Sequence, residues 1–134
     1  MPQTDLDAHI GRLLSGVSHV DEIRISLEII LRSLPVEVIE DFLADPTFRI
    51  DLEQLGQNNR SQMFMAAPIG RDVSRCVILR PKLRRASDAF RNYVIAHELA
   101  HAFLRNGGWG QYTDREEAAD ALAAIWGYPR PETW

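Results

Sequence analysis

The sequence predicts an α+β domain in which a small sheet of about three strands packs on helices. Three observations lead there. Apolar residues recur at helical spacing through the first third of the chain and again in its last third. From Phe48 the pattern changes to the two-residue alternation of strands, which persists in short runs as far as Arg80. Finally, 134 residues with 46% hydrophobic and 25% charged side chains suffice for one globular core and are too few for two. A single domain over 1–134 is expected, with a helical N-terminal segment over 1–46 and a core that carries the chemistry over 47–134.

Taken in order, Leu6, Ile10, Leu13, Leu14 and Val17 fall on one helical face. Ile23, Leu27, Ile30, Leu31 and Leu34 repeat that pattern until Pro35 stops the segment. A third, short helix is expected over 36–43 and ends near Asp45-Pro46, because a proline pushes the residue before it out of helical geometry. Phe48, Ile50 and Leu52 then alternate with Arg49 and Asp51 as a strand would. Turn residues over 56–60 precede a second strand candidate at 63–67, and a third runs over 75–80, closed by Pro81. An apolar helix is expected over 88–106, capped by Ser87 or Asp88 and ended by the cluster Arg105-Asn106-Gly107-Gly108. After a short loop from Trp109, a closing helix over 114–126 starts at Thr113 or Asp114 and is stopped by Gly127, Pro129 and Pro131.

Composition narrows the function. The one cysteine, Cys76, excludes an internal disulfide, fits a reducing compartment and suits a buried small hydrophobe. No basic region followed by an apolar run opens the sequence, and no stretch approaches the roughly 18 apolar residues that cross a bilayer, so a cytoplasmic protein without a membrane partner is expected. The net charge of -4 is unevenly spread. Up to Glu53 there are eleven acids against four arginines, whereas 71–91 holds seven basic residues and two aspartates. The basic stretch reads first as a solvated face, with docking of the acidic N-terminal helices on it, and control of access to the site, as a second possibility. It lacks interleaved aromatics or a recognition motif, so no nucleic-acid partner is expected.

The chemistry concentrates in Tyr93-Val94-Ile95-Ala96-His97-Glu98-Leu99-Ala100-His101-Ala102-Phe103-Leu104. An ionised group in a dry interior costs several kcal/mol unless it is paired or binds a metal, so His97, Glu98 and His101 require compensation there. Residues four apart share a helix face, and His97 and His101 can therefore aim both imidazoles at one point suited to zinc. Glu98 lies roughly 100° around the helix, where it flanks that point as a general base for a metal-activated water. With four His and nine Glu in the chain, this five-residue pattern arises by composition in only about 1% of such sequences.

Catalytic zinc commonly takes three protein ligands. The class that continues with Gly and His has no match here, where Leu104 and Gly107 stand at those positions. The closing helix offers acids instead: Glu116, Ala119, Asp120 and Ala123 share a face, and the alanines permit close approach to a neighbouring helix. Glu116 can ligate a metal, and Asp120, one turn on, can accept the free ring N–H of a ligand histidine. Glu117 points to another face and ranks second as ligand. Tyr112, before the closing helix, is the candidate donor to a tetrahedral oxyanion.

The run from Tyr93 to His101, followed by Glu116-x-x-Ala119-Asp120-x-x-Ala123, resembles the gluzincin zinc peptidases, in particular the ImmA/IrrE family and the minigluzincins. The likeness covers about 76–129. It implies a minimal zincin-like fold over 47–134, Zn2+ held by His97, His101 and Glu116, Glu98 as base and Asp120 behind a ligand histidine. It further implies a metallopeptidase acting on a protein or peptide held extended along a strand edge, at 63–67 or 76–80; in the ImmA/IrrE group such substrates are typically repressor proteins. The gap from His101 to Glu116 is short for this group, which leaves Glu116, Glu117 and Asp120 open as the third ligand. Three other readings compete. One resembles peptide deformylase, with Cys76 as ligand, but the spacings are much too short and Ala100 stands where that family has an acid. Another is a catalytically silent zincin-like module that binds a regulatory protein. The third is a buried histidine pair held by nearby carbonyls.

Overall fold

The computed structural model describes residues 3–52 and 75–132. Its elements are α1 (Gln3–Leu14), α2 (Asp21–Ser33), α3 (Val36–Ala44), β1 (Arg49–Leu52), β2 (Cys76–Leu79), a 3-10 turn (Pro81–Arg85), α4 (Asp88–Leu104) and α5 (Arg115–Ile125). The fold is thus mixed helix and strand, with five helices and a two-stranded parallel sheet among the described residues. The strand expected at 63–67 and the turn at 56–60 lie outside those residues. The 3-10 turn is an element the apolar pattern does not signal; Pro81 starts it and Arg80 precedes it in extended conformation.

One buried cluster joins the N-terminal helices to the rest. Ile10 and Val17, Ile23 and Leu27, Phe42, Val77, Leu79, Ile95 and Leu99 belong to it, and each of these is at most 1% exposed. Burying each such side chain contributes about 1.5–3 kcal/mol, so α1 to α3 are part of the structural core that supports α4. Opposite Ile50, in register on β2, lies Val77, and both point into that cluster. The connection after α1 passes so close to β1 that a Cβ on Gly16 would stand 2.3 Å from the Ile50 carbonyl oxygen, which demands glycine there.

The basic stretch corrects one expectation. It is not simply a solvated face, because Arg75, Arg80 and Arg91 are all buried. Arg91 donates to Ser26 Oγ on α2 at 2.9 Å and to the Ala86 carbonyl at 2.9 Å, and it also pairs with Asp88. In this way it fixes the 3-10 turn to the start of α4. Arg75 donates to Asp41 Oδ2 at 2.6 Å, Asp45 Oδ2 at 2.8 Å and the Ala102 carbonyl at 3.0 Å. The acids of α3 and its C-cap therefore do meet a basic residue of the central stretch, and through Arg75 they hold the last turn of α4.

Candidate metal centre

Both helices that form the site begin on local capping chemistry. Ser87 Oγ accepts from the Phe90 amide at the start of α4, and Asp114 Oδ2 accepts from the Glu117 amide at the start of α5. Within the cluster expected to end α4, the left-handed positions are Arg105 (φ 53°) and Asn106 (φ 59°) and not the glycines. The Asn106 amide then closes back on the His101 carbonyl at 3.0 Å. A stacked turn from Trp109 to Tyr112 leads into α5; a Cβ on Gly108 would lie 2.5 Å from the Tyr112 carbonyl oxygen, so glycine is required where this turn closes.

The alanines act as the sequence suggests. Ala96 and Ala100 on α4 and Ala118, Ala119 and Ala123 on α5 are fully buried. Ala100, Ala119 and Leu122 pack together between the two helices, and the acids of α5 reach across to the histidines of α4.

The result is a compact triangle of donor atoms. His97 Nε2 lies 3.1 Å from His101 Nε2 and 3.1 Å from Glu116 Oε1, and His101 Nε2 lies 3.3 Å from the same oxygen. A tetrahedral ion bound at 2.0–2.1 Å would separate its ligands by roughly 3.3–3.4 Å, so the three atoms stand close to the edges such an ion needs. His97, His101 and Glu116 are the group among the described residues able to hold a metal ion. Of the three acids left open, Glu116 therefore points a carboxylate oxygen at the histidines' meeting point. Glu117 is exposed and lends its amide to the cap. Asp120 is placed behind His97: its Oδ1 lies 2.7 Å from Nδ1.

At His101, electrostatics favours the neutral form that a cation takes. Burial, and then the neighbouring His97, pulls His101 below the ordinary imidazole range, with Glu116 opposing. His101 is fully buried, and its Nδ1 has no hydrogen-bond partner among the described residues. Glu116 keeps about half of its side chain in solvent, with 47% exposed, so the triangle is open on that side. The donor set of two imidazoles and a carboxylate suits zinc.

No protein-family model matches this chain. No curated protein and no solved structure matches it either. The site therefore has to be judged on its own chemistry.

Each residue singled out in the sequence has a definite place. Glu98 is buried on the flank of α4 next to His97, with 2% exposed. Tyr112 stacks on Trp109 with ring centroids 6.4 Å apart, and among the described residues its hydroxyl makes no hydrogen bond to the triangle. Cys76 lies on β2 outside the donor group, its thiol 3.9 Å from Asp51, which removes the deformylase-like ligand set. Burial, and then Asp51, pushes that thiol up, away from the thiolate a metal takes. His9 and His19 are also outside the group.

One participant is missing from the sequence reading. Tyr93 donates its hydroxyl to Asp120 Oδ1 at 2.6 Å, the same oxygen that faces His97. Burial, and then Asp120, holds that hydroxyl above the usual phenol range, so it remains a donor. The signal was present: Tyr93, His97 and His101 are spaced four apart on one face.

Proposed function

We propose that this chain is a zinc metallopeptidase of the gluzincin type on a minimal zincin-like fold, related in kind to the ImmA/IrrE family or the minigluzincins. Its substrate class is a protein or peptide. The observation that carries the proposal is the triangle of His97 Nε2, His101 Nε2 and Glu116 Oε1, with edges of 3.1, 3.1 and 3.3 Å, beside a buried glutamate. Among the described residues no helix is long and apolar enough to cross a membrane. The free Cys76 fits the cytoplasmic location included in the proposal.

His97, His101 and Glu116 would hold the ion. When bound, zinc supplies Lewis acidity, which polarises a carbonyl and makes a water acidic. Asp120 keeps the hydrogen of His97 on Nδ1, so that Nε2 presents its lone pair toward the triangle. Glu98 takes the proton of the attacking water and returns it to the leaving amine. Tyr112, in the turn entering α5, is the candidate hydrogen-bond donor to the oxyanion.

The test is hydrolysis of an unfolded protein such as casein by zinc-loaded protein, wild type against Glu98→Gln. Glu98→Gln should slow hydrolysis by about 10²–10⁴-fold while zinc content stays the same. Zinc-loaded wild type that cleaves no faster than Glu98→Gln would overturn the peptidase in favour of a catalytically silent binding module.

A further inference from the structure

We infer that the outer face of α2 is a docking surface for α2 of a second copy of this chain, the two helices running antiparallel about a two-fold axis. The inner face of α2 already supplies the core through Ile23, Leu27, Ile30 and Leu31. Ile25 and Ile29 do not serve it, and they are 49% and 54% exposed. A single apolar side chain at a surface needs no explanation, and Ile125 on α5 is such a case. Two isoleucines four apart form a strip one turn long. Being β-branched, they gain nothing as local helix formers on a wet face.

Charge decides the occupant. Glu22 stands three residues before Ile25 and Arg32 three residues after Ile29, and both are exposed. At 3.6 residues per turn the four side chains fall within about 80° of one helix face. They are symmetric about the level of Leu27. A two-fold axis crossing the face there sets Ile25 against Ile29 of the other copy, and the same axis sets Glu22 against Arg32 of the other copy. A parallel pair would instead oppose Glu22 to Glu22 and Arg32 to Arg32, which repel. The face is thus complementary to itself in one orientation, as an isologous interface requires.

Arg32 is held in place for this pairing. Asp7 on α1 lies 2.8 Å from its Nη1, and Glu28 lies 3.1 Å from its Nε. Five N–H donors leave the guanidinium capacity for a further carboxylate. At 1.5 Å of rise per residue, Glu22 and Arg32 are about 15 Å apart along the helix and the isoleucines about 6 Å, so apolar contacts form the centre and ion pairs the rim. Four side chains bury less than the roughly 800 Å² per partner of a standard interface, so the dimer is a weak one, with a Kd between about 1 μM and 1 mM. The donor triangle belongs to α4 and α5, and pairing through α2 engages none of its residues.

Sedimentation equilibrium of the full chain, at concentrations spanning that Kd range, reads the association. Wild type should pass from monomer to dimer. Ile29→Asp, at an exposed position that the core does not use, should stay monomeric throughout. Glu22→Arg should weaken the dimer about tenfold by opposing like charges, and adding Arg32→Glu should restore it. Wild type that stays monomeric overturns the inference, and so does a dimer that Ile29→Asp leaves intact. A dimer lost in Ile29→Asp but unaffected by Glu22→Arg overturns the antiparallel arrangement. Should Arg32→Glu unfold the chain by setting a third acid beside Asp7 and Glu28, Ile29→Asp and Glu22→Arg decide without it.

Discussion

Two polar clusters lie along the C-terminal half of α4, and they differ in what they leave unsatisfied. At the helix end, Arg75 is 3% exposed and directs its guanidinium at Asp41, Asp45 and the Asp41 and Ala102 carbonyls. Donors meet acceptors there, and Arg105 adds a further contact to Asp41 at 2.9 Å. One turn earlier, His97, His101 and Glu116 bring three acceptor-type atoms to one point, where only a proton or a cation can reconcile them. The first cluster closes on itself and holds α3 to α4. The second is left for a proton or a cation to complete. Buried polar groups are thus best sorted by whether their own partners complete them, since burial alone describes Arg75 and His101 equally well.

The contrast can be broken by removing Arg75. Arg75→Met should destabilise the protein by about 3 kcal/mol, because Asp41 and Asp45 lose the cation that compensates them near the core. Thermal or denaturant unfolding measures this, and a loss under about 1 kcal/mol would mean that Arg75 is no tie between α3 and α4. A smaller effect comes from acid. Burial alone would raise Asp45, but the Thr47 hydroxyl and amide and the Arg75 guanidinium outweigh it and hold its carboxyl at about 2, against 3.8 when unfolded. A depressed folded value contributes stability above the unfolded value and loses it as pH falls from about 4 to 2. Screening at a partly exposed side chain leaves roughly 1 kcal/mol at stake, which Asp45→Asn should remove from the acid limb of a stability profile.

The site helices were far more legible in the sequence than the ties that hold them. His97, Glu98 and His101 follow a local spacing, and the acids of α5 stand out against alanines, so both helices and their facing sides could be read from the chain. Glu116 could be ranked first as the third donor but not fixed, because Glu116, Glu117 and Asp120 differ only in how α5 is rotated against α4, which depends on tertiary packing. Arg75 and Arg91 were hidden for the same reason. Their partners, Asp41 and Ser26, are 34 and 65 residues away, and a basic run seen locally looks like a wet surface. The parallel pairing of β1 with β2 likewise depends on chain beyond either strand. Tyr93 was overlooked because an aromatic within an apolar helix resembles core until its hydroxyl is followed to Asp120.

The central claim is tested most directly by zinc titration of wild type and His101→Leu, with melting temperatures of both metal-free proteins. Wild type should bind one equivalent of zinc and melt higher when loaded, whereas His101→Leu should bind none and, metal-free, should melt at or above the metal-free wild type. The account is contradicted if wild type takes up no stoichiometric zinc, or if His101→Leu binds it as well as wild type does.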